Sequence, residues 1–226
     1  MGKLNVFGDS NSITIYHGSD NLKGLPKYGI GKLENDYGLG FYCTEDKSKA
    51  EIWAVGRNKN GYCNKYILKT DDLKVLELDD NNILQWLAIL MKHRIYKSED
   101  DIINLRMERF ITKYLDIDVD SYDYIIGYRA DDSYFKIVEM FISGLACLED
   151  LYDLLHLGSL GKQIVLKSKK AFDNLSFVEA STCNVNILYS KYINNDIRAR
   201  NQAKDIIKRS EYKKHRTDIR DLLNKG

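Results

Sequence analysis

The feature that most constrains the fold is the stretch Tyr37–Trp53, in which a glycine turn leads into an aromatic strand and then into a helix. Gly38 and Gly40 flank a single leucine. Because glycine has no Cβ, such a turn can adopt backbone angles closed to other residues and can let a ligand lie against the main chain. Phe41–Thr44 has the composition of a strand, with Thr44 as the expected N-cap of the helix. One face of that helix is expected to hold Ala50, Trp53, Ala54 and Arg57.

Two aromatic residues of this stretch, Tyr42 on the strand and Trp53 on the helix, are candidates to face one cleft. An aromatic pair of this kind can sandwich a flat heteroaromatic ring. The alternative is that both side chains belong to the core, which is the commoner place for such residues. The stretch therefore indicates either a ligand-binding cleft or ordinary packing, and other parts of the chain must decide between them.

The charge of the chain is divided unevenly along its 226 residues, although the net charge is only +1. Beyond residue 186, eleven Lys and Arg stand against five acids and give +6, whereas the 23 basic and 28 acidic residues before that point give −5. The length fits one large domain, or one domain with an appendage. We therefore divide the chain into a domain over residues 1–183 and a basic helical tail over residues 184–226.

Several protein classes are disfavoured by the composition. No apolar run is long enough to cross a bilayer, and the N-terminus lacks the basic and apolar segments of a signal peptide, so we expect a cytoplasmic protein without membrane contact. The four cysteines are scattered without a CxxC pair, which favours reduced thiols over a disulfide framework. The four histidines show no metal-ligand spacing, and no metal site is predicted.

Strand and helix patterns alternate along the chain without a regular βαβ repeat, and every expected strand is short. Strand patterns occur at Ile13–Tyr16, Phe41–Thr44, Tyr66–Leu68, Val75–Leu78, Tyr122–Tyr128, Ile164–Leu166 and Phe177–Ala180, with Gly61 expected to mark a turn. Helical spacing occurs at Ile83–Ile95, Asp100–Leu115, Ser133–Ser143 and Leu148–Leu157, with one long helix or two broken ones over Asn184–Asn224. This order predicts an α+β domain rather than a doubly wound sheet.

Two further polar motifs stand at the ends of expected strands. In His17-Gly18-Ser19, the histidine could donate to a sugar hydroxyl and the Gly18 backbone could pair with a carboxamide, or the histidine could be a satisfied structural group. Gly161-Lys162-Gln163 opens a later apolar strand, either as a polar site or as a turn with solvated ends.

A third polar cluster, Arg129-Ala130-Asp131-Asp132, follows the strand that ends at Tyr128. The planar guanidinium of Arg129 suits a pyrophosphate, since it offers a fork of donors. Alternatively, Asp131 or Asp132 could cap the helix expected from Ser133 and pair with the arginine. The sequence leaves both interpretations open.

Taken together and in this order, the motifs resemble the NAD-binding signature of ADP-ribosyltransferases of the diphtheria-toxin and poly(ADP-ribose) polymerase kind. The three parts are Tyr16–Ser19, Gly38–Tyr42 and Ser48–Trp53. More specifically, the chain resembles a bacterial family of ADP-ribosyltransferase-like domains, domain-of-unknown-function family 3990, through YHGS, YGLGFYCT, AEIWA, IIGYRADDSYF and LGSLGKQIVLKSKKAF. The resemblance covers residues 13–180, roughly, and leaves the basic tail outside.

The resemblance implies an ADP-ribosyltransferase-like split β-sandwich with surrounding helices, a C-terminal helical tail, and NAD as co-substrate in the cleft between two sheets. It suggests that His17 holds a hydroxyl of the adenosine ribose and that the Gly18 backbone anchors the nicotinamide carboxamide. Tyr42 and Trp53 would stack on nicotinamide, with Arg129 at the pyrophosphate. The other NAD-binding residues suggested by the motifs are Ser19, Gly40 and Phe41.

The catalytic position of this superfamily falls on Gln163, where many members carry Glu. A carboxylate there can hold the ribose 2′-hydroxyl and stabilise the oxocarbenium-like charge of the transition state, whereas Gln163 offers the hydrogen bond without the charge. We expect slower chemistry unless a target carboxylate or a nearby acid such as Asp131 or Asp132 supplies that charge. Gln163, Tyr42 and His17 form the predicted catalytic set.

The expected function is that of a cytoplasmic mono-ADP-ribosyltransferase, which cleaves the nicotinamide–ribose bond of NAD and transfers ADP-ribose to a protein or nucleic acid. The resemblance also suggests a bacterial toxin of a toxin–antitoxin or phage-defence system, with an antitoxin protein as partner. The alternative is a module of the same fold that binds NAD, ADP-ribose or a nucleic acid without turnover. The basic tail could dock on its own domain, bind nucleic acid or receive a partner protein.

Overall fold

The computed structural model describes residues 11–56, 58–94, 99–130, 132–157, 161–210 and 215–224. Within these ranges, the strands are Ser12–Ser19 (β1), Phe41–Cys43 (β2), Gly61–Lys69 (β3), Val75–Glu77 (β4), Tyr124–Tyr128 (β5), Lys162–Leu166 (β6) and Leu175–Cys183 (β7). The α-helices are Lys47–Ala54 (α1), Ile83–His93 (α2), Asp101–Tyr114 (α3), Asp132–Ser143 (α4), Leu148–Leu157 (α5), Lys169–Asp173 (α6), Val185–Ser210 (α7) and Ile219–Asn224 (α8). The predicted α+β class is confirmed.

The strands form two sheets that meet at their edges. The three-stranded sheet has the order β1-β3-β7 and is antiparallel, whereas the four-stranded sheet has the order β2-β6-β5-β4, with β4 and β5 parallel and the other pairs antiparallel. A single bridge joins the sheets within the described chain, because Tyr16 of β1 and Thr44 after β2 exchange both backbone hydrogen bonds, at 2.7 and 2.9 Å.

Two apolar cores lie on opposite faces of the four-stranded sheet. One lies between the sheets and combines residues of both, such as Ile15 and Tyr66 with Phe41 and Ile164. The other lies between the sheet and the helices and is centred on α2, in which seven of eleven residues are buried. Burial on nearly every side explains why α2 is apolar almost all round, since the hydrophobic effect favours such a helix only in an interior.

The C-terminal segment packs onto the rest of the domain. Ile206 of α7 and three residues of α8 belong to the main core, namely Ile219, Leu222 and Leu223. The carbonyl of Leu222 accepts hydrogen bonds from Lys113 Nζ and from the Tyr114 hydroxyl, both at 2.9 Å. Among the three alternatives for the tail, these contacts agree with docking on its own domain.

Three local predictions are wrong. The N-cap of α1 is Asp46 rather than Thr44, because the Asp46 carboxylate accepts from the backbone N–H groups of Ser48 and Lys49. Gly61 begins β3 rather than a turn, because α1 lies so close that a Cβ there would be 2.2 Å from the Ala54 carbonyl oxygen. The strands are not all short, since β1, β3 and β7 have eight or nine residues.

Some sequence-based expectations concern residues outside the described ranges, including those for Arg57 and Asp131. All four cysteines are described, and each is buried with a free thiol. No described helix has the combined length and apolar character needed to cross a membrane. The described residues also contain no cluster of three or more His, Cys, Asp and Glu arranged to hold a metal ion.

Candidate active site

The candidate site lies where β1 and β2 separate. After the Tyr16–Thr44 bridge, continuation of the ladder by one step would pair Gly18 with Tyr42, but no further bridge between these two described strands follows. Instead, the carbonyl of Tyr42 accepts a hydrogen bond from Nδ1 of His17 at 2.7 Å. The histidine side chain thus links the two strands at the first step of the gap.

The backbone of Gly18 faces this gap. In an antiparallel pair, alternate residues direct their N–H and C=O groups to the same edge of the strand. Tyr16 directs both groups towards Thr44, so Gly18, two residues later, directs its own towards the same edge and away from β3. A donor and an acceptor that lie side by side on a strand edge can pair with a carboxamide, which carries the complementary groups.

Position 18 also requires glycine for a packing reason that the sequence does not reveal. A Cβ at this position would lie 1.9 Å from the carbonyl oxygen of Ala50 and 2.7 Å from the backbone nitrogen of Ala54. Both atoms belong to the backbone of α1, which could make room for a Cβ only by moving away from β1. The glycine therefore seats α1 on β1 at the same point where the strand edge opens.

His17 is a hydrogen-bond acceptor at its outer nitrogen. Burial lowers the pKa of His17, and its hydrogen bond to the Tyr42 carbonyl opposes this only in part, so the ring is neutral at pH 7. A carbonyl can only accept, so Nδ1 carries the proton and Nε2 carries the lone pair. The prediction that His17 donates to a sugar hydroxyl is thereby reversed, since Nε2 can only accept from one.

The hydroxyl of Tyr42 is committed to the glycine turn. It donates to the Gly38 carbonyl at 2.6 Å and accepts from the Tyr37 backbone N–H at 3.0 Å. Gly38 has a φ of 72°, a conformation that favours glycine. Burial raises the pKa of the Tyr42 hydroxyl well above its usual range, so this phenol cannot act as a base. The half-buried ring is the part of Tyr42 left for a ligand.

Trp53 and Arg129 lie together. The Arg129 guanidinium carbon is 4.7 Å from the centre of the indole ring, which is a cation–π arrangement. Among the described aromatic contacts, none joins the rings of Trp53 and Tyr42 directly. The structure therefore brings Tyr42 to His17 and Trp53 to Arg129, as two pairs of site residues.

Gln163 lies on the same face of the sheet as Tyr42. Tyr42 of β2 stands opposite Val165 of β6, and Gln163 is two residues from Val165 on the same strand. The Gln163 amide nitrogen donates to Asp36 Oδ2 at 2.9 Å and to the Tyr128 carbonyl at 3.3 Å. Asp36, which sequence reasoning missed, is a buried carboxylate and is ion-paired with Arg94 at 2.9 Å.

The other three predicted NAD-binding residues have structural explanations for their type. The Ser19 hydroxyl accepts from the backbone N–H groups of Asn21 and Leu22 and so stabilises the turn after β1. Phe41 is buried with its ring 4.4 Å from that of His17. A Cβ at Gly40 would lie 2.6 Å from Val165 Cγ1. Their roles towards a ligand stay predictions.

Comparison with known proteins places the chain in a family. Residues 13–177 match the family model described as "Protein of unknown function (DUF3990)", and this segment contains every candidate site residue. No curated protein and no solved structure is significantly similar to the chain. Because the match covers well over half of the 226 residues, the chain belongs to the DUF3990 family of proteins of unknown function.

Proposed function

We propose that this protein is a mono-ADP-ribosyltransferase with an ADP-ribosyltransferase-like split β-sandwich. The observation that carries the proposal is the separation of β1 and β2, where the Gly18 backbone faces the gap and the His17 imidazole binds the backbone carbonyl of Tyr42. These residues have the order and spacing of the NAD-binding signature that the sequence resembles. The dinucleotide would lie in the split between the two sheets.

Each group at the split suits a different part of NAD. The Gly18 N–H and C=O would pair with the nicotinamide carboxamide, and the Tyr42 ring would stack on the pyridine. His17 Nε2 would accept a hydrogen bond from a hydroxyl of the adenosine ribose. Since the Tyr42 hydroxyl is bound to the glycine turn, the ring is fixed before the ligand arrives, which reduces the entropy cost of binding.

The second pair, Trp53 and Arg129, would bind the nicotinamide and the pyrophosphate. Arg129 covers one face of the Trp53 indole, so the opposite face is the one that could close over nicotinamide. A guanidinium held against an aromatic ring keeps its edge donors available for the pyrophosphate. The pair would thus join the nicotinamide and phosphate ends of the site.

In the proposed reaction, the bond between nicotinamide and C1′ of the ribose breaks, and both bonding electrons leave with nicotinamide. The ribose acquires oxocarbenium character, and a nucleophile of the acceptor then attacks C1′ to form the ADP-ribosyl product. Gln163 would accept a hydrogen bond from the ribose 2′-hydroxyl and orient the ring for this attack. The contribution of Gln163 is therefore positional, with no full negative charge.

The physiological part of the proposal is a cytoplasmic bacterial toxin of a toxin–antitoxin or phage-defence system, with an antitoxin protein as its partner. The acceptor would be a protein or a nucleic acid. The class of acceptor can be tested with NAD labelled in its ADP-ribose part, which is added to a cell lysate together with the purified protein. Loss of the incorporated label on protease treatment identifies a protein acceptor, and loss on nuclease treatment identifies a nucleic acid.

One observation favours a second candidate, a module that binds NAD, ADP-ribose or a nucleic acid without turnover. Gln163 carries no charge, and its amide is held by Asp36 in the interior of the domain. A site built in this way could bind a dinucleotide and still lack the electrostatic stabilisation that bond cleavage needs.

Nicotinamide release from NAD, measured beside NAD binding by calorimetry, separates the two candidates. The transferase predicts both binding and release in the unmodified protein, and it predicts that Tyr42→Ala weakens binding while Gln163→Ala slows release. The tyrosine control is Tyr189→Ala, on α7 outside the site. Binding without release would favour the module, and failure to bind NAD would contradict both candidates.

A further inference from the structure

We propose that Asp36 and Arg94 position Gln163, so that the site works with an amide at position 163 and is impaired by a glutamate there. The inference rests on the proposed function and deepens it. It assigns a role to two residues that lie far from Gln163 in the sequence, since Asp36 and Gln163 are separated by 127 positions. It also gives a reason why Gln163 departs from the Glu common in the superfamily.

The environment of Asp36 is built to hold a charged carboxylate in the interior. Its exposed fraction is 6%, and four N–H groups donate to its two oxygens. Oδ1 accepts from Arg94 Nε at 3.0 Å and from Arg94 Nη2 at 2.9 Å. Oδ2 accepts from the backbone of Ala130 and from Gln163 Nε2, both at 2.9 Å. A buried carboxylate with this many donors is held in one orientation.

The same contacts fix which end of the Gln163 amide faces Asp36. Both neighbours of the amide nitrogen, Asp36 Oδ2 and the Tyr128 carbonyl, are acceptors without a proton to give. Rotation of the amide by half a turn would set the amide oxygen against both of these oxygens, so the nitrogen must face inward. The Tyr128 carbonyl is itself fixed, because it also accepts from the Tyr37 hydroxyl and from Trp86 Nε1.

An inward nitrogen leaves Oε1 of Gln163 as the functional end of the side chain. No described residue donates a hydrogen bond to Oε1, although the exposed fraction of Gln163 is only 3%. Oε1 is thus a single oriented acceptor on the sheet face that Tyr42 shares. A ribose hydroxyl is a donor of the size and polarity that this acceptor suits.

The charges of the three side chains explain why glutamate would be unsuitable. Asp36 and Arg94 balance each other, and Gln163 is neutral. Glutamate at position 163 would face a second carboxylate across the present hydrogen-bond distance, and two like charges so close disfavour each other strongly. Rotation of the side chain away from Asp36 would remove the oriented acceptor. A protonated carboxyl would keep an outward oxygen, but it has one O–H where the amide has two N–H groups, so Asp36 Oδ2 and the Tyr128 carbonyl could not both be satisfied and the side chain would be held less firmly.

The test is a double-mutant cycle in the full-length protein, with Gln163→Glu, Asp36→Asn and the two changes combined. Nicotinamide release gives kcat and KM for NAD, calorimetry gives NAD affinity, and thermal unfolding monitors the fold. We expect Gln163→Glu to lower kcat about ten- to a hundredfold, as the loss of a charge-assisted hydrogen bond does, while KM changes less than about threefold.

The combined variant restores the charge balance, because the amide introduced at position 36 can donate to the carboxylate introduced at position 163, with Arg94 as counter-ion. We therefore expect kcat of the double variant to exceed that of Gln163→Glu alone by about tenfold. The recovery is partial because a carboxylate at position 163 has no donor for the Tyr128 carbonyl, and because the backbone N–H of Ala130 then lacks a carboxylate acceptor. A purely structural role of the pair would shift the unfolding temperature without this selective recovery of kcat.

The outcomes distinguish the positioning role of Asp36 and Arg94 from the proposed function. Equal or faster release by Gln163→Glu, or strictly additive effects in the cycle, would overturn the positioning role and leave the proposed function standing. Failure of the unmodified protein to bind NAD would overturn the proposed function and this inference with it. Coupling seen only in the unfolding temperature would likewise reduce the pair to a structural contact.

Discussion

The two halves of the candidate site are built in opposite ways. On the β1 side, Gly18 directs backbone groups to a strand edge at which no further bridge forms, and no described residue bonds to Nε2 of His17. On the β6 side, both oxygens of Asp36 are used, and the Tyr128 carbonyl accepts three hydrogen bonds. Unused polar groups at an edge suit a ligand, whereas a fully bonded interior network suits the fixing of a side chain.

This difference suggests a division of labour. The open half, on the β1 side, would bind NAD by groups that the described chain leaves unused, and the closed half, on the β6 side, would orient one amide oxygen towards it. Changes in the open half should therefore act on ligand affinity, except where they disturb α1. Changes in the closed half should act on the stability of the fold and on the chemical step.

The largest effect is expected from Gly18→Ala, which breaks the open half. The added Cβ would meet two backbone atoms of α1, at 1.9 and 2.7 Å, and we expect a loss in the free energy of unfolding of about 3 kcal/mol. Urea unfolding measures it. The control is Gly56→Ala, whose Cβ would lie 3.3 Å from a Tyr192 ring carbon and should cost less than about 1 kcal/mol. Equal stability of the two variants would contradict the seating of α1 on β1.

The next effect is expected from Asp36→Ala, which breaks the closed half. Removal of the carboxylate breaks its buried ion pair with the Arg94 guanidinium, and we expect a loss of about 3 kcal/mol in the free energy of unfolding, again measured with urea. The matched control is Asp173→Ala, because its ion pair with Lys169 is exposed and should contribute at most about 0.5 kcal/mol. A cost for Asp36→Ala no greater than that of the control would show that the network is unimportant.

A smaller effect is expected from Lys167→Met. This change tests the glycine turn, which contributes to both halves of the site. Lys167 Nζ donates to the carbonyls of Tyr37 and Leu39, both at 2.8 Å, and its side chain is only 4% exposed. We expect a loss of about 2 kcal/mol in the free energy of unfolding, together with weaker NAD binding by calorimetry, because the turn that holds Tyr42 loosens. Lys169→Met, on the exposed side of α6, is the control and should leave NAD affinity unchanged.

The smallest effect is expected from acidification, and it concerns His17. Burial lowers the pKa of His17 below its ordinary value of 6.5, so the unfolded chain takes up this proton before the folded protein does. Stability is therefore fully present above pH 6.5 and is lost as the pH falls from there through the lower pKa of the folded state. Urea unfolding at a series of pH values should show a shallower loss in His17→Gln. An identical pH dependence in the two proteins would contradict the buried, neutral imidazole.

Much of the fold could be predicted because its signals are local. The helices α4 and α5 follow apolar periodicity, and β1 and β2 follow strand composition. Gly61 was misread because a glycine in the sequence indicates a turn just as readily as a close helix contact. The length of β3 was missed since its exposed and buried positions do not alternate regularly.

In the candidate site, too, the residues with local sequence signals could be predicted and the others could not. His17, Gly18 and Tyr42 lie in short motifs with recognisable order, so the open half could be predicted as a set. In the closed half only Gln163 lies in such a motif. Its partners Asp36 and Arg94 could not be predicted, because the three residues are brought together from distant segments. A lone Asp before a glycine turn and a lone Arg after a helix carry no local signal of a shared ion pair.

The structure of the protein in complex with NAD is the measurement that tests the central claim most directly. The account predicts the nicotinamide carboxamide on the N–H and C=O of Gly18, the pyridine on the ring of Tyr42, and a ribose hydroxyl at Nε2 of His17. NAD bound elsewhere on the molecule, or β1 and β2 closed by backbone hydrogen bonds between Gly18 and Tyr42, would contradict it.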